Sequence, residues 1–417
     1  MAGIRSSLSR LRQLREQFEK RLKVATGKAA LGQAAPATRL RELANFGSNP
    51  GNLRMHVYVP DGVNQSPPLV VALHGCTQTA NSYDQGTGWS HLADRLGFIL
   101  LFPEQQPANN PKNCFSWFLP GDTARDRGEA LSIRQMIAQA VESFGVDESQ
   151  VFVTGLSAGG AMTSVMLATY PEVFAGGAII AGLPYGAASS VQEAFEAMFN
   201  ERAPSSRALG DQVRAASNHR GPWPKISVWH GTGDTIVRAS NADHIIRQWL
   251  DVHKIPERSS REQRIGPHAR RIWQDSNGNT RLEAYSVTGM AHGVPLATDG
   301  CGLAGPLFLQ AGISSTRMIT QFWGLDTAGA REQRPQPAVA HGVARTSPAL
   351  ADSTARLEAL RAQNEPSPHN GFPADPAAVI QAAFKAAGLP VPERTGGRID
   401  SASIISAALK AAELRRS

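Results

Sequence analysis

At 417 residues the chain is long enough to bury a large core, and an α/β fold absorbs that length without needing several domains. Its hydrophobic share of 41% is ordinary for a soluble fold, and no apolar run approaches the roughly 20 residues that span a bilayer. The formal charge of +7 suits an anionic surface or polymer as partner, but much of the excess sits in the first thirty residues and no nucleic-acid partner is expected.

Those thirty residues place Leu8, Leu11, Leu14, Phe18 and Leu22 at three- and four-residue intervals, with Arg and Lys between them. The period is that of a basic amphipathic helix. Two roles fit it: packing on the domain or on another subunit, or lying on an apolar granule or membrane surface. There is no uninterrupted apolar core with an A-x-A site, so no Sec-type signal peptide is seen, and a cytoplasmic or granule-associated location is expected. Residues 1–45 are taken as this helix and a linker.

From residue 46 to 326 short apolar runs alternate with helical segments. LRMHVYVP (53–60), LVVAL (69–73), GFILLFPE (97–104), VFVT (151–154), GGAIIAG (176–182) and ISVWH (226–230) read as strands. Helices are expected over 89–96, 128–144 and 239–253, and 268–289 reads as a hairpin around an Asn-Gly turn. Strands alternating with helices predict an α/β fold, a mostly parallel, doubly wound sheet with helices on both faces. The polar, Pro-bounded segment 183–224 is expected to be an insertion or lid. Residues 327–373 have the composition of a flexible linker, and 374–417 that of a small Ala-rich helical tail.

The stretch VFVTGLSAGGAMTS (151–164) carries the chemistry. G-x-S-x-G at a strand–turn–helix junction is the pattern of a nucleophile elbow, in which small residues at 155 and 159 let strand and helix approach a serine held on a strained turn. An elbow requires an acid and then a histidine, each on a loop after a later strand. HGTGD supplies Asp234 and GMAHGVP supplies His292, so Ser157, Asp234 and His292 follow the required order. Rivals are less well placed: Asp243, His244 and His253 fall in a helical segment, Asp299 lies beyond the histidine, and His230 reads as structural at a strand end. The oxyanion hole needs the N–H after the serine, that of Ala158, and one from the loop after an earlier strand, where His74-Gly75-Cys76 offers the Cys76 N–H.

Taken together, HGCTQTA, NCFSWF (113–118), GLSAGGAM, HGTGD and GMAHGVP resemble the polyhydroxybutyrate-depolymerase family of esterases, α/β-hydrolases that include feruloyl and acetylxylan esterases. The resemblance covers roughly residues 46–326. It implies the α/β-hydrolase fold and a serine esterase with Ser157, Asp234 and His292 as triad and Cys76 and Ala158 as oxyanion donors. The implied substrate is a polyhydroxyalkanoate polymer or oligomer, with feruloyl, acetylxylan or other small esters as alternatives. A non-catalytic granule-surface protein is the alternative of a different class. No metal or organic cofactor is expected, and the three cysteines have no metal-site spacing. Cys76 and Cys114 are either free thiols or a bridge pinning the aromatic loop to the oxyanion loop; the resemblance favours the bridge. Trp117 is either an acyl-pocket residue or a plain core aromatic.

Overall fold

The computed structural model describes residues 2–27, 38–199 and 204–328. Its main sheet is built from β1 (Arg41–Leu43), β2 (Arg54–Tyr58), β3 (Leu69–Leu73), β4 (Ile99–Glu104), β5 (Val151–Leu156), β6 (Gly176–Ile180), β7 (Lys225–Gly231), β8 (Arg261–Ile265), β9 (His268–Gln274) and β10 (Thr280–Val287). The spatial order is β1-β2-β4-β3-β5-β6-β7-β10-β9-β8. The run from β4 to β10 is parallel throughout, and antiparallel strands flank it on both sides. A separate parallel pair, β11 (Val294–Leu296) and β12 (Phe308–Gln310), follows the candidate histidine.

The helices are α1 (Ala2–Thr26), α2 (Ala80–Thr87), α3 (Trp89–Leu96), α4 (Pro120–Thr123), α5 (Gly128–Phe144), α6 (Ala158–Thr169), α7 (Val191–Phe199), α8 (Ser206–Ala215), α9 (Ser240–His253), α10 (Ser315–Trp323) and α11 (Leu325–Ala328). Every residue of β3 and β5 is buried, which is why both read as continuous apolar runs. Alternate side chains enter opposite layers. Val71, Leu73 and Val153 pack with Ile133 and Met136 of α5, Met162 of α6 and Trp249 of α9. Val70, Ala72 and Phe152 pack with Tyr83 of α2, Trp89 of α3 and Trp323 of α10. The sheet is therefore covered on both faces, the doubly wound arrangement of the α/β-hydrolase fold.

The structure adds detail to two local expectations. The segment read as linker up to residue 45 contains β1, whose three residues pair with β2; a strand that short leaves no periodic signal. The 183–224 segment holds two helices, α7 and α8. Apart from the end of α11, the regions read as a 327–373 linker and a 374–417 helical tail lie outside the described residues.

Helix α1 lies on the domain. Leu22 is buried, and the Phe18 ring sits 5.5 Å from that of Phe195 on α7. Arg10 pairs with Glu196 at 3.4 Å. The Arg21 guanidinium stands over the Phe199 ring and donates to the Thr235 carbonyl at 2.5 Å.

Candidate active site

The carboxyl ends of the parallel strands carry all three predicted triad residues. Ser157 follows β5 directly and opens α6, with φ +58° and ψ −115°. A side chain other than glycine in such a conformation costs on the order of 1–3 kcal/mol, strain that the surroundings must impose. They do so visibly. The Ser157 N–H donates to the Ile180 carbonyl of β6 at 2.9 Å. A Cβ on Gly155 would stand 2.4 Å from the Gly159 backbone, and one on Gly159 would stand 2.2 Å from the Leu73 carbonyl oxygen. Only glycine at these two positions lets β5, α6 and the end of β3 close around the serine.

Asp234 sits on the turn after β7. Its Oδ1 accepts from the N–H groups of Ile236 (2.8 Å) and Val237 (2.9 Å), which orients the carboxylate. Its Oδ2 accepts from His292 Nδ1 at 2.6 Å. Burial alone would raise this carboxyl group's pKa, but electrostatic attraction to His292 and hydrogen bonds from His230 and His292 outweigh it and hold Asp234 well below the ordinary carboxylate range. The aspartate is thus ionised and fixes the imidazole with Nδ1 protonated, which leaves Nε2 as the basic nitrogen. Ser157, Asp234 and His292 are all nine-tenths buried or more.

His230 belongs to this cluster, although its strand-end position suggested only a structural role. Its Nε2 lies 2.9 Å from the Val237 carbonyl and 3.3 Å from Asp234 Oδ2, so the aspartate faces two histidines. The rivals stay outside: Asp243 is an exposed partner of Arg271, Asp299 pairs with Arg317, and His253 Nε2 bonds the Pro224 carbonyl.

The loop after β3 is fastened residue by residue. Gly75 N–H donates to Gln78 Oε1 (2.8 Å) and Thr77 N–H to the Lys112 carbonyl (2.6 Å), which spends the N–H groups on either side of Cys76 and leaves that of Cys76. Ala158 is the first residue of α6, and first-turn N–H groups have no partner inside a helix. Among the described residues neither the Cys76 nor the Ala158 N–H has a hydrogen-bond partner, as an oxyanion donor requires. Cys76 and Cys114 are joined as a disulfide across 38 residues, tying this loop to the aromatic loop 114–118. Trp117 is buried, edge-on to Phe118 at 5.3 Å. It lines a depression of about 300 Å³ with Tyr185, Ala188 and Gln212, and Ser157 is not one of its walls.

Sequence reasoning missed two further residues. His74 is fully buried: Nδ1 donates to the Gly75 carbonyl at 2.8 Å and Nε2 accepts the Gln105 N–H at 3.0 Å. Burial lowers its pKa, consistent with a neutral ring making both bonds. Glu129, at the start of α5, is buried behind both loops. Neither has a sequence signal beyond standing next to a motif or at a helix start.

The family model described as esterase PHB depolymerase matches residues 53–290. Poly(3-hydroxyalkanoate) depolymerase C of Paucimonas lemoignei is 44% identical over 291 residues, spanning 69% of this chain and 70% of that protein. An acetylxylan esterase of Coprinopsis cinerea is 36% identical, spanning 62% of this chain and 70% of that protein. Feruloyl esterase B of Talaromyces stipitatus is 32% identical, spanning 62% and 73%. Among solved structures, acetyl xylan esterase from Aspergillus awamori superimposes with a TM-score of 0.60 at 24% identity, covering 69% of this chain and 99% of that one, a likeness of fold. With the doubly wound sheet and the motifs in place, the chain belongs to the PHB depolymerase family of esterases.

Proposed function

We propose that the chain hydrolyses carboxylic esters through an acyl-enzyme formed on Ser157, with poly(3-hydroxyalkanoate) or its oligomers as the substrate class. The observation that carries the mechanism is the 2.6 Å bond between His292 Nδ1 and Asp234, which presents Nε2 as a base. In this reading Nε2 takes the Ser157 proton as Oγ attacks the ester carbonyl. The tetrahedral oxyanion is received by the N–H groups of Cys76 and Ala158, with the N-terminus of α6 adding its positive end. Collapse expels the alcohol, which takes its proton from Nε2. Water then enters by the same route in reverse and releases the acid. Asp234 stabilises the imidazolium and stays ionised throughout.

The substrate class rests on the 44% identity to the Paucimonas lemoignei depolymerase. The 36% and 32% identities to acetylxylan and feruloyl esterases favour a second reading, cleavage of esters on plant polysaccharide. In the first reading α1 is also a contact to an apolar granule or membrane surface, which requires Phe18 and Leu22 to leave their present partners.

The test compares turnover of hydroxybutyrate oligomers, methyl ferulate and acetylated xylan by the intact chain and by Ser157→Ala. The expected outcome is fastest turnover of hydroxybutyrate oligomers, lost by about 10⁴-fold or more in the folded variant. Faster turnover of ferulate or xylan transfers the enzyme to the second reading. Undiminished activity in Ser157→Ala overturns the mechanism, and no turnover of any of the three esters by the intact chain leaves the surface-binding alternative.

A further inference from the structure

We propose that Glu129 is a positioning residue for the esterase reaction, the buried anchor on which the oxyanion loop and the aromatic loop are set in register. The inference rests on the reading of Cys76 as an oxyanion donor.

Glu129 lies on the first turn of α5 and is 2% exposed. Its two carboxyl oxygens serve different loops. Oε2 accepts the Ser116 N–H at 2.8 Å, within the aromatic loop and next to Trp117. Oε1 accepts Gln105 Nε2 at 2.6 Å, and the same amide nitrogen reaches the Cys114 carbonyl at 3.3 Å. The Gln105 side chain cannot turn over, because Oε1 already accepts from Gln106 N–H (2.9 Å) and Asn109 Nδ2 (2.6 Å). Gln105 then passes the constraint on, its backbone N–H donating to His74 Nε2, and His74 Nδ1–H holding the Gly75 carbonyl.

The last link decides the chemistry. A peptide unit is planar and trans, so its C=O and N–H point in opposite directions. Fixing the Gly75 carbonyl with His74 therefore fixes the direction of the Cys76 N–H. The Phe115 ring lies 4.9 Å from the His74 ring, and the Cys76–Cys114 disulfide closes the circuit between the two loops. One carboxyl group thus holds both ends of a ring of contacts that includes the oxyanion donor, and no step of the proposed chemistry uses it otherwise. Its titratable neighbour is Asp122, whose Oδ1 accepts the Glu129 backbone N–H at 3.2 Å.

Above about pH 8, where the Glu129 carboxyl is ionised, glutamine at 129 offers one acceptor oxygen in place of two, and its NH₂ meets either the Ser116 N–H or the Gln105 NH₂, donor against donor, so the comparison is made at about pH 9. In Glu129→Gln, kcat for p-nitrophenyl butyrate per titrated active site is expected to fall roughly tenfold to a hundredfold, with KM within about twofold, because a displaced oxyanion donor is felt in the transition state. Phosphonylation of Ser157 by a p-nitrophenyl phosphonate should slow in parallel. A purely structural role would lower the melting temperature and leave kcat per folded site unchanged, and kcat within about twofold of the parent overturns the proposal. If Glu129→Gln does not fold, Gln105→Met reads the same link, since it removes the amide and keeps the backbone bond to His74; unchanged kcat there overturns the proposal equally. Ser157→Ala separates the two inferences: if it stays active the triad reading fails, and if it is inactive while Glu129→Gln turns over normally only the role of Glu129 fails.

Discussion

Gly159→Ala puts the elbow geometry to a quantitative test. The new methyl group would stand 2.2 Å from the Leu73 carbonyl oxygen and 2.5 Å from that of His74. Relaxing both to van der Waals contact requires a movement of about 1 Å, and the obstructing atoms are backbone of a buried strand end. Leu73 is held in register with Gly155, so the strand does not yield cheaply. Overpacking of this kind costs about 1–3 kcal/mol, which in a domain of this size lowers the melting temperature by roughly 1–5 °C. The catalytic effect should be larger. The displaced residues lead directly into Gly75 and Cys76, and a misplacement of about 1 Å in a reacting constellation costs about 10²-fold in rate. Gly121→Ala is the control, since its Cβ would meet nothing within 4 Å. Hydrolysis of p-nitrophenyl butyrate and calorimetric melting, measured side by side, read both effects. A Gly159→Ala enzyme with unaltered kcat/KM would refute the claim that close approach of α6 to the end of β3 builds the site.

Other consequences are open to simpler measurements. Asp234→Asn should reduce kcat by about 10⁴-fold by releasing the His292 tautomer. Asp243→Asn, which breaks only an exposed pair with Arg271, should change kcat by less than about twofold, and equal losses in both would displace Asp234 from its role. Burial pushes the Glu129 carboxyl from the ordinary 4.5 up to about 8. The folded chain therefore keeps a proton that the unfolded chain releases, so this group's stability contribution is full below about pH 4.5 and is lost as pH rises toward 8. At about 1.4 kcal/mol per pH unit the loss approaches about 5 kcal/mol, and Glu129→Gln abolishes it. Urea denaturation at pH 5 and pH 8 should show the parent's lead over Glu129→Gln shrinking as pH rises; a constant gap would rule out a buried, protonated carboxyl. Phe18→Ala should destabilise by about 1–2 kcal/mol and speed amide exchange in α7, whereas parent-like exchange would mean that α1 does not hold that helix.

The candidate triad stands out in the sequence because its signals are local. An elbow needs small residues around a serine, and the acid and histidine follow the ends of apolar strands, so Ser157, Asp234 and His292 stand out without coordinates. The central strands were legible for a related reason: burial on both faces makes β3 and β5 uninterrupted apolar runs. Strand β8 escaped notice because it is an exposed, charged edge (REQRI) with no alternation to read. Helices α7 and α8 escaped in a segment whose polar composition and bounding prolines dominate it. His230 and Glu129 were out of reach for another reason. The four-residue step from His230 to Asp234 becomes a contact only through the turn after β7. Glu129 looks like any acidic residue in a helix's first turn until two distant loops close over it.

The hold of α1 on the domain has a consequence for any surface the enzyme meets. Two residues of its apolar stripe, Phe18 and Leu22, are already packed on the domain, and Arg21 ends on the carbonyl of Thr235, one peptide beyond Asp234. A surface that takes up Phe18 and Leu22 must draw Arg21 away from that carbonyl. Capture of the helix and freedom of the acid-bearing turn are then two descriptions of one equilibrium. Linkage makes the coupling reciprocal: whatever steadies the turn must change the affinity of the helix for its surface by the same factor.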